Sequence, residues 1–178
     1  MIAGAHAVLW VRQDGPGNDA CRFADAEGGY LIDGSSTDAD WNILRYRIRA
    51  RGDGTTRRVR IGTKSRIFAS RAPDDTWKLN GTPVPAVTGA SDIYFDFTPA
   101  SLTLPIRRLK LGLGDEAEIL VAWLDLESQK LLPRHLVLRH IAKGKYDCLN
   151  SEAGTASHLS VDANCIVRTD AGHWIAQA

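Results

Sequence analysis

One stretch sets the shape the chain can take, because the apolar rhythm changes there. Leu102, Ile106, Leu109 and Leu113 recur at i, i+4, i+7 and i+11, which places them on one face of a helix. Leu104 and Leu111 lie on the opposite side, flanked by Arg107 and Arg108. A helix apolar on two faces is wrapped by protein on two sides. The spacing predicts a single short helix over about 103–111, with Thr103 at its cap, Pro105 in the first turn and Gly112 ending it. Reading Leu104 to Leu113 as a strand instead requires a phase flip at Arg107-Arg108.

Elsewhere the chain alternates in the strand manner. Val8–Val11, Ala20–Ala24 and Gly29–Ile32 read as short strands, and Asp33–Asp38 reads as a loop. Leu44, Tyr46, Ile48 and Ala50 alternate with Arg45, Arg47, Arg49 and Arg51. After a Gly52-Asp53-Gly54 turn, Arg57, Val59 and Ile61 alternate with Arg58 and Arg60, which makes a hairpin. Lys64–Ala69, Trp77–Gly81 with its Asn-Gly turn, and Ser91–Phe97 follow as strands. Ala117–Leu126 is apolar on both faces, so it is covered on both sides by protein or ligand. Leu131–Ile141, Lys145–Leu149, Ser157–Val161, Cys165–Arg168 and Trp174-Ile175 complete the set, with Asn164 available for a left-handed turn. Many short strands and one helix imply a mainly β, rolled antiparallel architecture rather than α/β. The 178 residues suit a single domain, 1–178.

Composition narrows function mostly by exclusion. A formal net charge of +1 gives no bulk attraction to nucleic acid or to an anionic membrane. No apolar run is long enough to span a bilayer. Met1–Trp10 lacks a basic start and a long apolar core, so the expected location is cytoplasmic. Cys21, Cys148 and Cys165 are too few and too widely spaced for a disulfide framework or a zinc pattern, and they read as bystander thiols. His6, His135, His140, His158 and His173 show no metal-ligand spacing. There is no Gly-x-Ser-x-Gly elbow and no phosphate loop, so no catalytic residue, metal or cofactor is nominated. An uncharacterised enzyme is the weakest reading of the chain.

Two features carry candidate chemistry. The Arg45–Arg60 hairpin presents an arginine ladder on one face. It is either a solvated sheet face or a site for phosphate, sulfate or nucleic-acid backbone. Nucleic acid fits poorly, since no aromatic residues interleave for stacking. The second feature combines Asp92, Tyr94 and Asp96 on one side of their strand, Arg107 and Arg108, and Trp123 of the doubly apolar strand. Asp92 and Asp96 on one strand sit about 13 Å apart at roughly 3.3 Å per residue, too far for a two-carboxylate glycosidase pair. Ion pairs with Arg107 or Arg108, or contacts to a polar headgroup, are their expected roles.

The order Trp77-x-Leu79-Asn80-Gly81, Asp92-x-x-x-Asp96-Phe97-Thr98-Pro99 and Thr103-Leu104-Pro105-Ile106-Arg107-Arg108-Leu109 resembles the bacterial family called putative glycolipid-binding proteins. Trp10-x-Arg12-x-Asp14-Gly15-Pro16-Gly17, Arg57-Arg58-Val59, Ala122-Trp123-Leu124, Val161-Asp162 and Gly172-x-Trp174 fit it as well. The chain departs at Leu102, where the family commonly has Asn, at Asn164, where it tends to Gly, and at Asp170-Ala171. The resemblance implies a spiral β-roll, a many-stranded antiparallel sheet wrapped around the helix, and binding of a glycolipid or other amphiphile. It carries no catalytic residues. Arg107, Arg108, Asp92, Asp96, Tyr94 and Trp123 are the candidate ligand-binding residues, and oligomeric state is not addressed by the sequence.

Overall fold

The computed structural model describes residues 4–62 and 66–177; Lys64 and Ser65 of the expected Lys64–Ala69 strand lie outside the described residues. Among the described residues, fifteen strands form one sheet. They are β1 (Ala5–Arg12), β2 (Asn18–Ala26), β3 (Gly29–Thr37), β4 (Ile43–Arg51), β5 (Thr56–Gly62), β6 (Arg66–Arg71), β7 (Trp77–Leu79) and β8 (Thr82–Pro83), then β9 (Asp92–Tyr94), β10 (Glu116–Asp125), β11 (Lys130–Ala142), β12 (Lys145–Asn150), β13 (Thr155–Val161), β14 (Val167–Asp170) and β15 (Trp174–Ala176). The order across the sheet is β8 down to β1, then β15 down to β9, so β1 and β15 meet in the middle. The sheet has two free edges, β8 and β9, and does not close into a barrel.

The helix, α1, runs Thr103–Leu109 after a 3-10 turn at Pro99–Leu102. It is shorter than expected, and both ends are built differently. Thr98 caps the 3-10 turn by accepting from the Ala100 N–H, whereas the Thr103 hydroxyl is buried without a hydrogen-bond partner. The chain leaves the helix at Lys110, in the left-handed region at φ 49°, two residues before Gly112. Proline at the start of the 3-10 turn and Thr98 before it moved the capping site upstream.

The two apolar faces of α1 serve two separate cores. Leu104 joins Trp10, Phe23, Tyr46, Ile48, Trp77 and Phe95. Leu102 and Ile106 join Val121, Leu136, Leu138, Tyr146 and Leu159. Strand β10 divides in the same way: Ala122 and Leu124 face the first core, Ile119 and Val121 the second. That is why Ala117–Leu126 carries no polar phase. The Ala122/Leu124 face shares its core with Val84 and Val87, from the segment that follows the β8 edge. Each buried Leu or Ile contributes roughly 1.5–3 kcal/mol, so the helix is held by both cores.

Four further expectations are corrected. Asp33–Thr37 is strand, because β3 is paired along its length with both β2 and β4. Its Gly34 is opposite Tyr46, and a Cβ there would fall 2.3 Å from the tyrosine ring. The strand expected over Ser91–Phe97 is confined to β9, which pairs parallel to β10, the one parallel pair among the described residues. Arg57 does not share the face of Val59; a bulge in the β4–β5 pairing leaves it exposed while Thr56 turns inward. The left-handed residue in the Asp162–Ile166 turn is Cys165, at φ 60°, because Asp162 Oδ1 accepts the N–H groups of Asn164 and Ile166 and fixes the turn around it.

Candidate functional site

The inner face of the second half of the sheet is apolar in its middle and becomes polar toward one end. Cross-strand partners share a face, so register shows which residues line it. One inward row runs Tyr146, Leu159, Asp170, Trp174, Arg12. Two others run Leu138, Cys148, Ser157 and Leu136, Asn150, Thr155. Arg134 continues the phase of Leu136 and Leu138 on β11. Where these rows reach Leu102 and the residues after β9, they enclose a cleft of about 270 Å³. Tyr94, Asp96, Arg134, Asp170, Trp174 and Arg12 dominate its lining, with Asp14 and His173 at the rim.

Arg134 organises one wall. Its guanidinium donates to Asp96 at 2.6 Å, lies 3.6 Å from the centre of the Trp123 ring and 5.4 Å from that of Tyr94. Burial, together with the nearby Asp96 charge, keeps the Tyr94 phenol protonated well above its usual range. Arg12 organises the opposite wall. It makes two hydrogen bonds to Asp14, at 2.8 and 2.9 Å, and lies 5.1 Å over the Trp174 ring. This fork holds the Asp14 carboxyl far below the ordinary carboxylate range, with His173 as a further partner at 3.1 Å. Between the walls sits Asp170, whose Oδ1 is buried without a hydrogen-bond partner. Burial pushes its carboxyl up, against opposing pulls from Ser157 and His173.

The six residues expected from sequence divide between two places. Tyr94 and Asp96 line this cleft, and Trp123 lies behind Arg134. Arg107 and Arg108 line a second cleft of about 300 Å³ at the other end of α1, with Tyr30, Gly54, Leu104 and Lys110. Asp92 stands behind it: fully buried, it receives Arg108 Nη2 at 2.5 Å. Burial raises the Asp92 carboxyl, with Arg108 as the main opposing pull. The expected pairing of Asp92 with Arg108 is present, whereas Asp96 pairs with Arg134 instead of either helix arginine. Arg107 donates to the Asn164 carbonyl at 2.7 Å and lies over the Tyr30 ring.

The sequence reading missed Arg12, Asp14, Arg134, Asp170 and Trp174 as site residues. The available signal was phase. Val8 and Trp10 lead into Arg12, and Tyr146 and Cys148 lead into Asn150; a polar residue that continues an inward apolar alternation marks the mouth of the roll. Among the described residues, no three His, Cys, Asp or Glu side chains converge as a metal site. The thiols are not activated: burial pushes Cys148 up to about 12 and raises Cys21 and Cys165. Among the described residues, no helix is long and apolar enough to cross a membrane.

The fold is similar to that of a solved DUF1089-family protein from Pseudomonas aeruginosa. The two share 21% identity over 96% of this chain and 90% of that one, with a TM-score of 0.68. No curated protein matches the chain. The sequence profile of the family described as putative glycolipid-binding matches residues 7–175. On a match that spans nearly its whole length, the chain belongs to that family.

Proposed function

We propose that the protein binds the saccharide headgroup of a glycolipid in the cleft between Arg12 and Arg134. The observation that carries this reading is the buried Asp170 Oδ1, which lacks a partner in a cleft walled by Trp174 and Tyr94. A buried acceptor left unmade costs about 1–3 kcal/mol, and a ligand hydroxyl would satisfy it. Sugars present such hydroxyls around an apolar ring face, which suits a carboxylate set beside indole and phenol rings. Arg12, Arg134, Asn150 and Ser157 supply further polar groups. A volume of about 270 Å³ is near the lower end of the ligand-pocket range of about 300–1,000 Å³, which suits about one sugar ring.

The acyl part has no room beside the helix. Leu104 at 1% exposure and Ile106 at 2% are packed into the two cores, so the tails stay outside the roll. The test is titration with methyl glycosides of common hexoses and with a glycosyl-diacylglycerol in bicelles, followed by amide chemical shifts. Shifts at Asp170 and Trp174 that vanish in Asp170→Asn support the reading. Absence of shifts with every glycoside and with the bicelles refutes it. Binding to glycosides but not to the glycolipid would identify a free saccharide as the ligand.

A further inference from the structure

The outward face of β4, β5 and β6 carries Arg45, Arg47, Arg49, Arg58, Arg60 and Arg66, all exposed. Strands β3 to β6 contain one carboxylate, Asp33, which pairs with Arg47 at 2.5 Å. Register makes the crowding acute. Arg47 is directly opposite Arg60, and Arg49 directly opposite Arg58. Like charges in that relation oppose sheet formation, and the four side chains border a groove of about 150 Å³. The other half of the sheet is built the opposite way. There Glu116 pairs with Arg139, Glu118 with His135 and Asp147 with His158. The near-zero net charge of the chain therefore hides a concentrated cationic face.

An apolar tip adjoins that face. Ile43 is the first residue of β4 and 50% exposed; Trp41 precedes it, 69% exposed. Trp41 has φ 60°, a left-handed conformation unfavourable for a bulky residue. The loop is held that way by Asp38, whose Oδ1 accepts the N–H groups of Asp40 and Asn42 and whose carbonyl accepts the Trp41 N–H. Backbone strain thus presents a tryptophan to solvent with no packing in return, which is the pattern of a functional element.

We propose that this face docks on an anionic lipid surface, with the arginines over lipid phosphates and Trp41 and Ile43 in the headgroup layer. Tryptophan favours the bilayer interface, and clustered arginines favour an anionic leaflet. Nucleic acid is a poorer match. The nearest ring on the face, Phe68, is overlaid by Arg58 and Arg60 at 5.4 and 5.9 Å, so it is not free to stack a base. Ile43 also has no counterpart in a phosphate backbone. Asp40 is exposed beside Trp41 and opposes the docking.

The experiment is co-sedimentation with vesicles of phosphatidylcholine alone or mixed with phosphatidylglycerol. Neither contains a sugar headgroup of the kind assigned to the cleft, so the outcome is independent of that assignment. Binding to the mixed vesicles is expected, falling with added salt and about five-fold for each arginine removed among Arg47→Ala, Arg49→Ala, Arg58→Ala and Arg60→Ala. Asp40→Asn should strengthen it. Trp41 should show a blue-shifted emission on vesicles, lost in Trp41→Phe, since Trp10, Trp77 and Trp174 are 3% exposed or less and Trp123 is covered by the Arg134 guanidinium. Arg49→Ala, Arg58→Ala and Arg60→Ala relieve like-charge opposition and Arg47→Ala also breaks the pair with Asp33, so a retained cooperative melting transition verifies that each variant folds. Equal binding to both vesicle types, or no effect of the arginine variants, overturns the proposal. So does retention of single-stranded DNA, sensitive to the same substitutions, without vesicle binding.

Discussion

The Arg134 guanidinium lies 3.6 Å from the centre of the Trp123 ring while donating to Asp96 at 2.6 Å. Trp123 is therefore a support for the cleft wall and not part of its lining. Asp96 is half exposed, so its ion pair adds little stability by itself. The stacking adds about 0.5–2 kcal/mol. Arg134→Ala should destabilise the protein by about 1–2 kcal/mol in denaturant unfolding. It should also weaken glycoside binding about ten-fold, the loss expected for a charged hydrogen-bond donor. Arg134→Lys should restore part of the stability and little of the binding, because an ammonium does not reproduce the flat guanidinium over the indole.

At the other end of the helix, Arg108 is a stability residue before it is a binding residue. Its partner Asp92 has no exposed surface, and Asp92 Oδ1 has no second partner. Arg108→Met should cost about 3–5 kcal/mol, because it leaves a buried carboxylate without its cation. Adding Asp92→Asn should recover most of that loss. The single variant should be worst near neutral pH and approach the double variant as pH falls, since protonation removes the buried charge. Urea unfolding of the wild type and the two variants at two pH values checks this. Equal loss in the single and double variants would show that packing, not charge, holds the pair.

The three thiols should be inert in the folded state. Cys21 and Cys148 are buried, and Cys165 is partly exposed. All three have raised thiol pKa values, chiefly from burial. An aromatic disulfide reagent at neutral pH should label Cys165 slowly and the other two only on unfolding. Fast reaction of any thiol in the native protein would contradict this.

What the sequence made legible was periodicity. The Leu102/Ile106 stripe and the opposed Leu104 follow from a 3.6-residue period, and they correctly place the helix between two apolar surroundings. The strands β10 to β13 were equally plain, β10 from an apolar run with no polar phase and the others from short strand-like segments between turns. The boundaries were less legible because partners decided them. Gly34-Ser35-Ser36 has loop composition, yet it is strand because both neighbours pair with it. The cap moved to Thr98 because a 3-10 turn precedes the helix. The cleft was half legible. Tyr94 and Asp96 stand out within one alternating segment, whereas Arg12, Arg134 and Asp170 come from distant strands and meet only through register.

Asp19 is the buried acid that its own surroundings would have revealed. It shares the inward phase of Cys21 and Phe23 on β2 and is fully buried. Its Oδ2 accepts from Tyr46 Oη at 2.7 Å and from the Thr98 hydroxyl, tying the cap of the 3-10 turn to the middle of the sheet. Its Oδ1 has no partner. Burial outweighs the two hydrogen bonds and pushes the carboxyl up to about 6. The folded state therefore binds a proton that the unfolded state, with an ordinary carboxylate near 3.8, releases earlier. The stability linked to Asp19 is fully present below about pH 4 and is lost as pH rises through about 6, an effect of about 3 kcal/mol. Asp14, held far below its ordinary value by Arg12, contributes in the opposite sense at lower pH. Asp19→Asn should remove the downward slope of stability between about pH 4 and 6, measured as the difference from wild type in urea midpoints across that range. A difference that stays constant with pH would show that Asp19 titrates normally in the folded protein.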